Sequence, residues 1–185
     1  STLTSVEALD VLCEITQATN PNKEAVLQEI VNITNQGIDG SISFTQSLEK
    51  RIKLLKAKKS DLPILIEELK KHVSPSIESN KEFFEKFSDD IYVISAGFKE
   101  FIIPIVAKYN IPADRVFANT FEFDKDDNIV GFDYENPLSK HNGKIECLQN
   151  MNLEGEIQVI GDGYSDAVTK EAGVADTFLA YTENE

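Results

Sequence analysis

The stretch Ile157-Gln158-Val159-Ile160-Gly161-Asp162-Gly163-Tyr164-Ser165-Asp166 decides the fold class of this chain. A short apolar run with the character of a buried strand enters a glycine-bounded turn, and a helical pattern then continues to Ala172. An earlier stretch has the same form, because the apolar run 91–94 is followed by Ser95-Ala96-Gly97 and a helical pattern over residues 98–109. Strands that alternate with helices in this way predict a parallel α/β sheet.

Helical patterns precede the first strand, with apolar residues recurring at steps of three and four. We predict helices over residues 6–18, 23–35, 43–56, 62–72 and 77–87. Residues 6–75 would form a small helical cap, and residues 76–185 the α/β core. Within that core, a polar turn at 125–128 separates two strand-like runs and predicts a β-hairpin near residues 115–134. A helix over 142–150 and a final strand over 177–181 complete the prediction.

The composition limits the classes of partner. The 185 residues carry a formal net charge of −14 and have a pI near 4.6, so the surface field disfavours nucleic acid and anionic lipid. The most apolar stretch, 101–107, is too short to span a bilayer, and no signal peptide is evident. Cys13 and Cys147 match no disulfide or metal-ligand spacing, which is typical of a reducing compartment. We predict a cytoplasmic protein that binds a small molecule and neither nucleic acid nor membrane.

Asp162 and Asp166 are the first candidates for chemistry. In an open parallel sheet, ligands bind beyond the carboxyl ends of the strands, and Asp162 directly follows such an end. Two carboxylates four residues apart can share a hard cation such as Mg²⁺. The alternative is an ordinary strand-to-helix turn in which Asp166 is solvated in the first helical turn, where the helix dipole favours it.

Ser95 and Lys144 are candidates for binding an anion. A serine at a strand end can offer its hydroxyl and the neighbouring backbone N–H groups to an oxyanion, and its alternative role is the N-cap of the next helix. Lys144 stands at a predicted helix start, where the dipole disfavours a cation, so a phosphate would suit it. A solvated lysine is the alternative. Ser95 is not expected to be a nucleophile, because nothing places His72 or His141 as its base.

Arg51 lies within an apolar helical stripe formed with Phe44, Leu48 and Leu55. An arginine in such a stripe extends its head group to water, pairs with a carboxylate, or binds an anionic ligand. Glu7 borders the apolar face of the first predicted helix, which by itself is an ordinary position for a glutamate.

Taken in order, these segments resemble the phosphoserine phosphatase family of the haloacid dehalogenase (HAD) superfamily, over nearly the whole chain. Ser1-Thr2-Leu3 is similar to the tail of the family's first motif, Asp-x-Asp-Ser-Thr-Leu, and residues 44–51 to its cap-helix segment ending in arginine. Residues 93–98 are similar to its second motif, Val-x-Ser-Gly-Gly-Phe. Lys144 matches the lysine of the third motif, and residues 161–166 resemble its metal-binding Gly-Asp-Gly-x-Asn-Asp.

The resemblance implies a HAD-like Rossmannoid core and Mg²⁺-dependent hydrolysis of L-phosphoserine through an aspartyl-phosphate, the last step of serine biosynthesis. It implies that Ser95, the amide of Ala96 and Lys144 hold the phosphoryl group. Asp162 would bind Mg²⁺, with Asp166 supporting that site. Arg51 would pair with the substrate carboxylate and Glu7 with its ammonium. Two departures from the family pattern are Ala96 in place of glycine and Ser165 in place of an asparagine that lines the substrate site.

The largest departure concerns the first motif, whose two aspartates act as nucleophile and general acid/base in this family. Only the tail of that motif is present, so residues 1–5 read as its remnant. We expect the native protein to continue upstream, with a fusion to a further domain left open, and residues 1–185 alone to be inactive. Without the central first strand, two parallel neighbours would be left unpaired. The alternatives are another HAD phosphatase for small phosphomonoesters and a catalytically inactive ligand-binding domain.

Overall fold

Helices make up the first half of the chain, and strands enter only from residue 93 onward. The computed structural model describes residues 1–184. The helices are α1 (Ala8–Thr16), α2 (Lys23–Ile38), α3 (Phe44–Leu55), α4 (Leu62–Lys71), α5 (Pro75–Ser79), α6 (Lys81–Lys86), α7 (Lys99–Val106), α8 (Gly143–Met151) and α9 (Tyr164–Glu171). The strands are β1 (Val93–Phe98), β2 (Val116–Asn119), β3 (Phe121–Phe123), β4 (Ile129–Phe132), β5 (Gln158–Gly161) and β6 (Thr177–Ala180).

Local backbone geometry and side-chain hydrogen bonds mark the start of α3 and the division of the helix predicted over 77–87. At the start of α3, the Ser43 hydroxyl accepts the Gln46 N–H at 3.1 Å, and the Gln46 side chain accepts the Ser43 N–H at 3.0 Å. The helix predicted over 77–87 is instead divided at Asn80 into α5 and α6. Asn80 has φ −106° and ψ 26°, outside the α-helical region, and its side-chain amide donates to the carbonyl of Ser76 at 2.7 Å.

Two parallel strand pairs confirm the predicted α/β class. β1 pairs with β2, and β5 pairs with β6, each in parallel. β3 and β4 form an antiparallel hairpin, which is shorter than the predicted span of 115–134. The first predicted hairpin strand is interrupted at Thr120, and its leading half is β2, which joins β1 instead. Both halves are apolar and strand-like, so their periodicity did not reveal that they have different partners.

The parallel sheet is divided into two separate halves. Within residues 1–184, no hydrogen-bonded ladder joins the β1–β2 pair to the β5–β6 pair. Ile160 and Leu179 lie opposite one another in the β5–β6 register and are 58% and 45% exposed. Parallel sheets are normally covered on both faces, so this face of the β5–β6 pair is open in the part of the chain that is described.

The segments that enter and leave the helical part of the chain, residues 3–5 and 72–74, lie side by side and are hydrogen-bonded. Ser5 N–H donates to His72 C=O at 2.8 Å, and Ser74 N–H donates to Leu3 C=O at 3.0 Å. One apolar cluster nevertheless runs through both parts, including Leu12, Leu65 and Ile105. The division into residues 1–5, 6–75 and 76–185 therefore stays a prediction. Among residues 1–184 there is no helix with the length and apolar character needed to cross a membrane.

Candidate active site

The carboxyl end of β5 delivers Asp162 next to the beginning of the chain. The Thr2 hydroxyl donates to Oδ1 of Asp162 at 2.6 Å. Burial alone would raise the pKa of the Asp162 carboxyl, but the hydrogen bond from the Thr2 hydroxyl opposes this rise, and the pKa lies below its ordinary value. Asp162 is thus ionised at neutral pH and available as an oxygen ligand.

Lys144 and Asp166 form an ion pair at the same end of β5. Nζ of Lys144 lies 2.6 Å from Oδ1 of Asp166, and Oδ2 of Asp166 accepts the Gly163 N–H at 3.2 Å. Asp166 is 7% exposed, and the Lys144 side chain is mostly buried. The two alternatives of a solvated aspartate and a solvated lysine are therefore wrong. Lys144 also has a partner that compensates for its unfavourable position at a helix start.

The two glycines of the Gly161-Asp162-Gly163 turn have different roles. A Cβ on Gly161 would lie 2.2 Å from Cγ of Asp166, which is far inside van der Waals contact. A Cβ on Gly163 would come no closer than 3.5 Å to the Asp166 carboxylate, an ordinary contact. The Asp166 side chain therefore packs directly on the bare backbone of Gly161, and this contact positions the carboxylate for Lys144.

Ser95 lies inside β1 and does not cap the following helix. Its hydroxyl oxygen accepts the Gly97 N–H at 3.0 Å, whereas the N-cap residue of α7 is Phe98. The alternative of an N-cap is therefore wrong. Because the hydroxyl oxygen is used as an acceptor, its proton remains available for donation to an anion. Ala96, the next residue, presents its carbonyl to the side chain of Asn119 at 2.9 Å.

Arg51 is largely buried on α3, and Nε of its guanidinium has no hydrogen-bond partner among residues 1–184. Burial lowers the pKa of Arg51, while the negative charges of Asp10 and Glu7 oppose that shift. An arginine guanidinium stays charged at neutral pH in proteins. A buried arginine with an unpartnered N–H has the properties expected of an anion-binding group.

Asp10 is a candidate that the sequence reasoning missed. It lies in the first turn of α1, three residues after Glu7, the N-cap residue of that helix. Burial raises the pKa of Asp10, repulsion from Glu7 adds to that rise, and attraction to Arg51 opposes it. The three-residue spacing from Glu7 could have revealed Asp10, since residues three apart share a helix face. The carboxylate of Glu7 itself is 66% exposed.

The contacts join some of the predicted site residues and leave others apart. Thr2 and Asp162 contact one another, and so do Lys144 and Asp166. Arg51 takes part in neither contact, and Ser165 is exposed in the first turn of α9. No cluster of three or more His, Cys, Asp or Glu side chains that could hold a metal occurs within residues 1–184. The Asp162 carboxylate still fits Mg²⁺, which commonly takes one or two carboxylates and keeps several waters.

Comparisons with known proteins identify the family of this chain. The family of haloacid dehalogenase-like hydrolases matches residues 1–168. The phosphoserine phosphatase of Methanocaldococcus jannaschii is 32% identical, and the match covers 97% of this chain and 82% of that protein. The chloroplastic phosphoserine phosphatase of Arabidopsis thaliana is 30% identical over 80% of this chain but only 51% of its own length. The chain thus spans about half the length of that plant relative.

A solved structure gives the same assignment. The phosphoserine phosphohydrolase-like protein from Francisella tularensis superposes with a TM-score of 0.82 and 29% sequence identity, over 98% of this chain and 83% of that one. This likeness confirms the HAD-like fold expected from the motifs. The chain therefore belongs to the phosphoserine phosphatase family of haloacid dehalogenase-like hydrolases.

Proposed function

We propose that this chain forms the substrate- and metal-binding part of a Mg²⁺-dependent phosphatase that hydrolyses L-phosphoserine to L-serine and phosphate. The observation that carries the proposal is the meeting of three separately identified motifs at the end of β5. Thr2 contacts Asp162 across 160 residues, and Lys144 contacts Asp166 across 22. In this role the protein would complete serine biosynthesis, and a cytoplasmic location stays a prediction.

The phosphoryl group would be held by Ser95, the amide of Ala96 and Lys144. The Ser95 proton is available because the Ser95 oxygen already accepts the Gly97 N–H. The Lys144 ammonium is oriented by Asp166, so that its remaining protons can face a phosphoryl oxygen. Fixed donors of this kind stabilise the charge that accumulates on a transferring phosphoryl group.

The amino-acid portion of the substrate would be recognised by the helical segment. Arg51 supplies a buried cation for the carboxylate, and its unpartnered Nε supports that role. Glu7 supplies a carboxylate for the ammonium. Ser165, exposed beside the Asp162 turn, remains a candidate for substrate contact and takes the place of the family's asparagine.

Asp162 would ligate Mg²⁺, and Asp166 would support the site through its contacts with Lys144 and the Gly163 N–H. When bound, Mg²⁺ would neutralise charge on the phosphoryl oxygens. Attack on phosphorus belongs to an aspartate of the first motif, and residues 1–185 contain only the Ser1-Thr2-Leu3 tail of that motif. Binding of phosphate and L-serine therefore requires a measurement separate from turnover of L-phosphoserine.

The function is tested with the gene product in its natural length. Release of phosphate from L-phosphoserine is expected to require Mg²⁺ and to stop when EDTA removes the ion. O-phosphoethanolamine lacks the carboxylate, so it should be a poor substrate. Arg51→Ala should lower kcat/KM for L-phosphoserine about 100-fold, the loss expected when a charged hydrogen-bonding partner is removed. It should change turnover of O-phosphoethanolamine little.

Lys53→Ala is the matched control, because Lys53 is an exposed cation on the same helix that pairs with Glu49 at 2.6 Å. It should leave kcat/KM unchanged. Equal loss of both substrates in Arg51→Ala would remove the assignment to L-phosphoserine and favour another small phosphomonoester. Binding of phosphate and L-serine without any turnover would favour the inactive ligand-binding domain.

A further inference from the structure

Asn119, the last residue of β2, is fully buried between strand β1 and the turn that precedes α8. Its side-chain amide donates to the carbonyl of Ala96 at 2.9 Å and to the carbonyl of Leu138 at 3.2 Å. Ala96 lies within β1, next to Ser95, where the phosphoryl group is proposed to bind. Leu138 belongs to the 3-10 turn Pro137–Ser139, which precedes α8. One side chain therefore bridges two segments that are distant in sequence.

The chemistry of these contacts fixes the orientation of the Asn119 amide. Both partners are carbonyl oxygens, so only the NH₂ group can face them. The remaining oxygen, Oδ1, is buried and has no hydrogen-bond partner among residues 1–184. An unpaired buried acceptor carries a desolvation cost. A residue needed only to pack the end of a strand would avoid that cost with an apolar side chain of similar size.

The turn that Asn119 holds also contacts the start of the helix that carries Lys144. A Cβ on Gly143 would lie 2.0 Å from the carbonyl oxygen of Pro137, so the backbones of the turn and of α8 are in direct contact there. Lys144 is the next residue. Displacement of the Pro137–Ser139 turn would therefore displace the backbone from which the Lys144 side chain extends.

We propose that Asn119 is a positioning residue that keeps the Ser95–Ala96 segment and the Lys144 helix start at a fixed separation for binding a phosphate. The proposal rests on the function proposed above. Asn119 bonds to the Ser95–Ala96 segment and to the turn that contacts the start of the Lys144 helix. Loss of these bonds should therefore weaken binding of phosphate. It should not affect the carboxylate and ammonium contacts that Arg51 and Glu7 provide.

The test uses the gene product in its natural length with Mg²⁺, and two probes measured by calorimetry: inorganic phosphate and L-serine. Asn119→Asp replaces the NH₂ group by an oxygen that repels both carbonyls, and Asn119→Ala removes the bridge. Both variants should bind phosphate at least about tenfold more weakly, a loss of about 1.4 kcal/mol. Both should bind L-serine within about twofold of the wild type, a difference of under 0.5 kcal/mol.

Ser47→Ala is the matched control. Ser47 is 2% exposed and its hydroxyl donates to the carbonyl of Ile33 at 3.0 Å, so this variant also removes a buried bond from a side chain to a carbonyl, but one that joins α3 to α2 and not the two segments held by Asn119. It should lower the melting temperature and leave both affinities unchanged. Phosphate affinity that is unchanged in the Asn119 variants, or lost equally with L-serine affinity, would overturn the proposal.

A second measurement, on the wild type, decides the matter if the Asn119 variants do not fold. Phosphate should slow amide hydrogen exchange in residues 95–97 and in residues 137–144 together, because the bridge couples the two segments. Protection of only one segment would overturn the proposal. A wild-type protein that binds L-serine but no phosphate would overturn the proposed function and this inference with it.

Discussion

The ammonium of Lys144 lies 2.6 Å from Oδ1 of Asp166, and this contact fastens the start of α8 to the first turn of α9. The side chains are 19% and 10% exposed, so the pair is screened little by solvent. Asp166 has a further partner in the Gly163 N–H. The arrangement holds a cation beside the carboxylate that follows β5, and several measurable consequences result from it.

Removal of either partner should destabilise the protein strongly. Lys144→Met leaves the Asp166 carboxylate buried without its counter-charge. Asp166→Asn leaves the mostly buried Lys144 ammonium without a negative partner. Each single change should cost about 3 kcal/mol in the free energy of unfolding. The double variant should cost less than the sum, because it leaves no unpaired charge. Urea denaturation of all four proteins gives the coupling energy, and purely additive losses would contradict a direct ion pair.

Gly161 and Gly163 should respond differently to the same substitution. Gly161→Ala places a methyl group against Asp166, so it should lower the free energy of unfolding by about 1–3 kcal/mol through overpacking and weaken phosphate binding. Gly163→Ala has room for its methyl group and a negative φ of −113°. It should leave stability unchanged or raise it slightly. Equal melting temperatures for the two variants would disprove the close contact of Asp166 with Gly161.

Glu100, in the first turn of α7, should make stability depend on pH. Its Oε1 accepts the Phe121 N–H at 2.9 Å, whereas its buried Oε2 has no partner among residues 1–184. Burial raises the pKa of this carboxyl. The folded state therefore keeps the proton to a higher pH than the unfolded state, and stability falls as pH rises from about 4 through the folded pKa.

Glu100→Gln retains the acceptor for Phe121 and removes the charge. Its melting temperature should exceed that of the wild type at pH 8, and the difference should shrink as pH falls and vanish below about pH 4. Calorimetric melting curves at several pH values measure this. A difference that is independent of pH would show that the charge of Glu100 is not its cause.

Asp10 should contribute to recognition of the carboxylate by stabilising the charged Arg51. Asp10→Asn should weaken binding of L-serine about fivefold, the effect of a partly screened charge, and leave inorganic phosphate binding unchanged. Glu14→Gln is the control, because Glu14 is an exposed carboxylate one turn further along α1. Calorimetric titrations of the two variants compare these effects. Unchanged L-serine affinity in Asp10→Asn would exclude Asp10 from this role.

The sequence by itself determined the class of fold and the order of its elements. Apolar periodicity distinguishes helix from strand locally, and capping residues such as Ser43 mark helix starts, so α3, the succession from β1 to α7 and the strand-turn-helix unit around Asp162 were predictable. The strand expected over 91–94 instead spans Val93–Phe98, so Ser95 lies within it and not in a turn after it. The family was also determined at this level, because its motifs are short runs whose spacing is visible in one dimension. The break at Asn80 was missed, because the non-helical φ and ψ of one residue leave no mark in the apolar periodicity.

Only the tertiary structure decided which of these residues touch. Contacts between separate elements produce the pairing of Lys144 with Asp166 and the different steric needs of Gly161 and Gly163. They also produce the position of Asp10 near Arg51 and the bridge through Asn119. Periodicity reports which face a residue occupies within its own element. The distance to a residue on another element depends on how the elements pack, and that packing is determined by side-chain contacts throughout the chain.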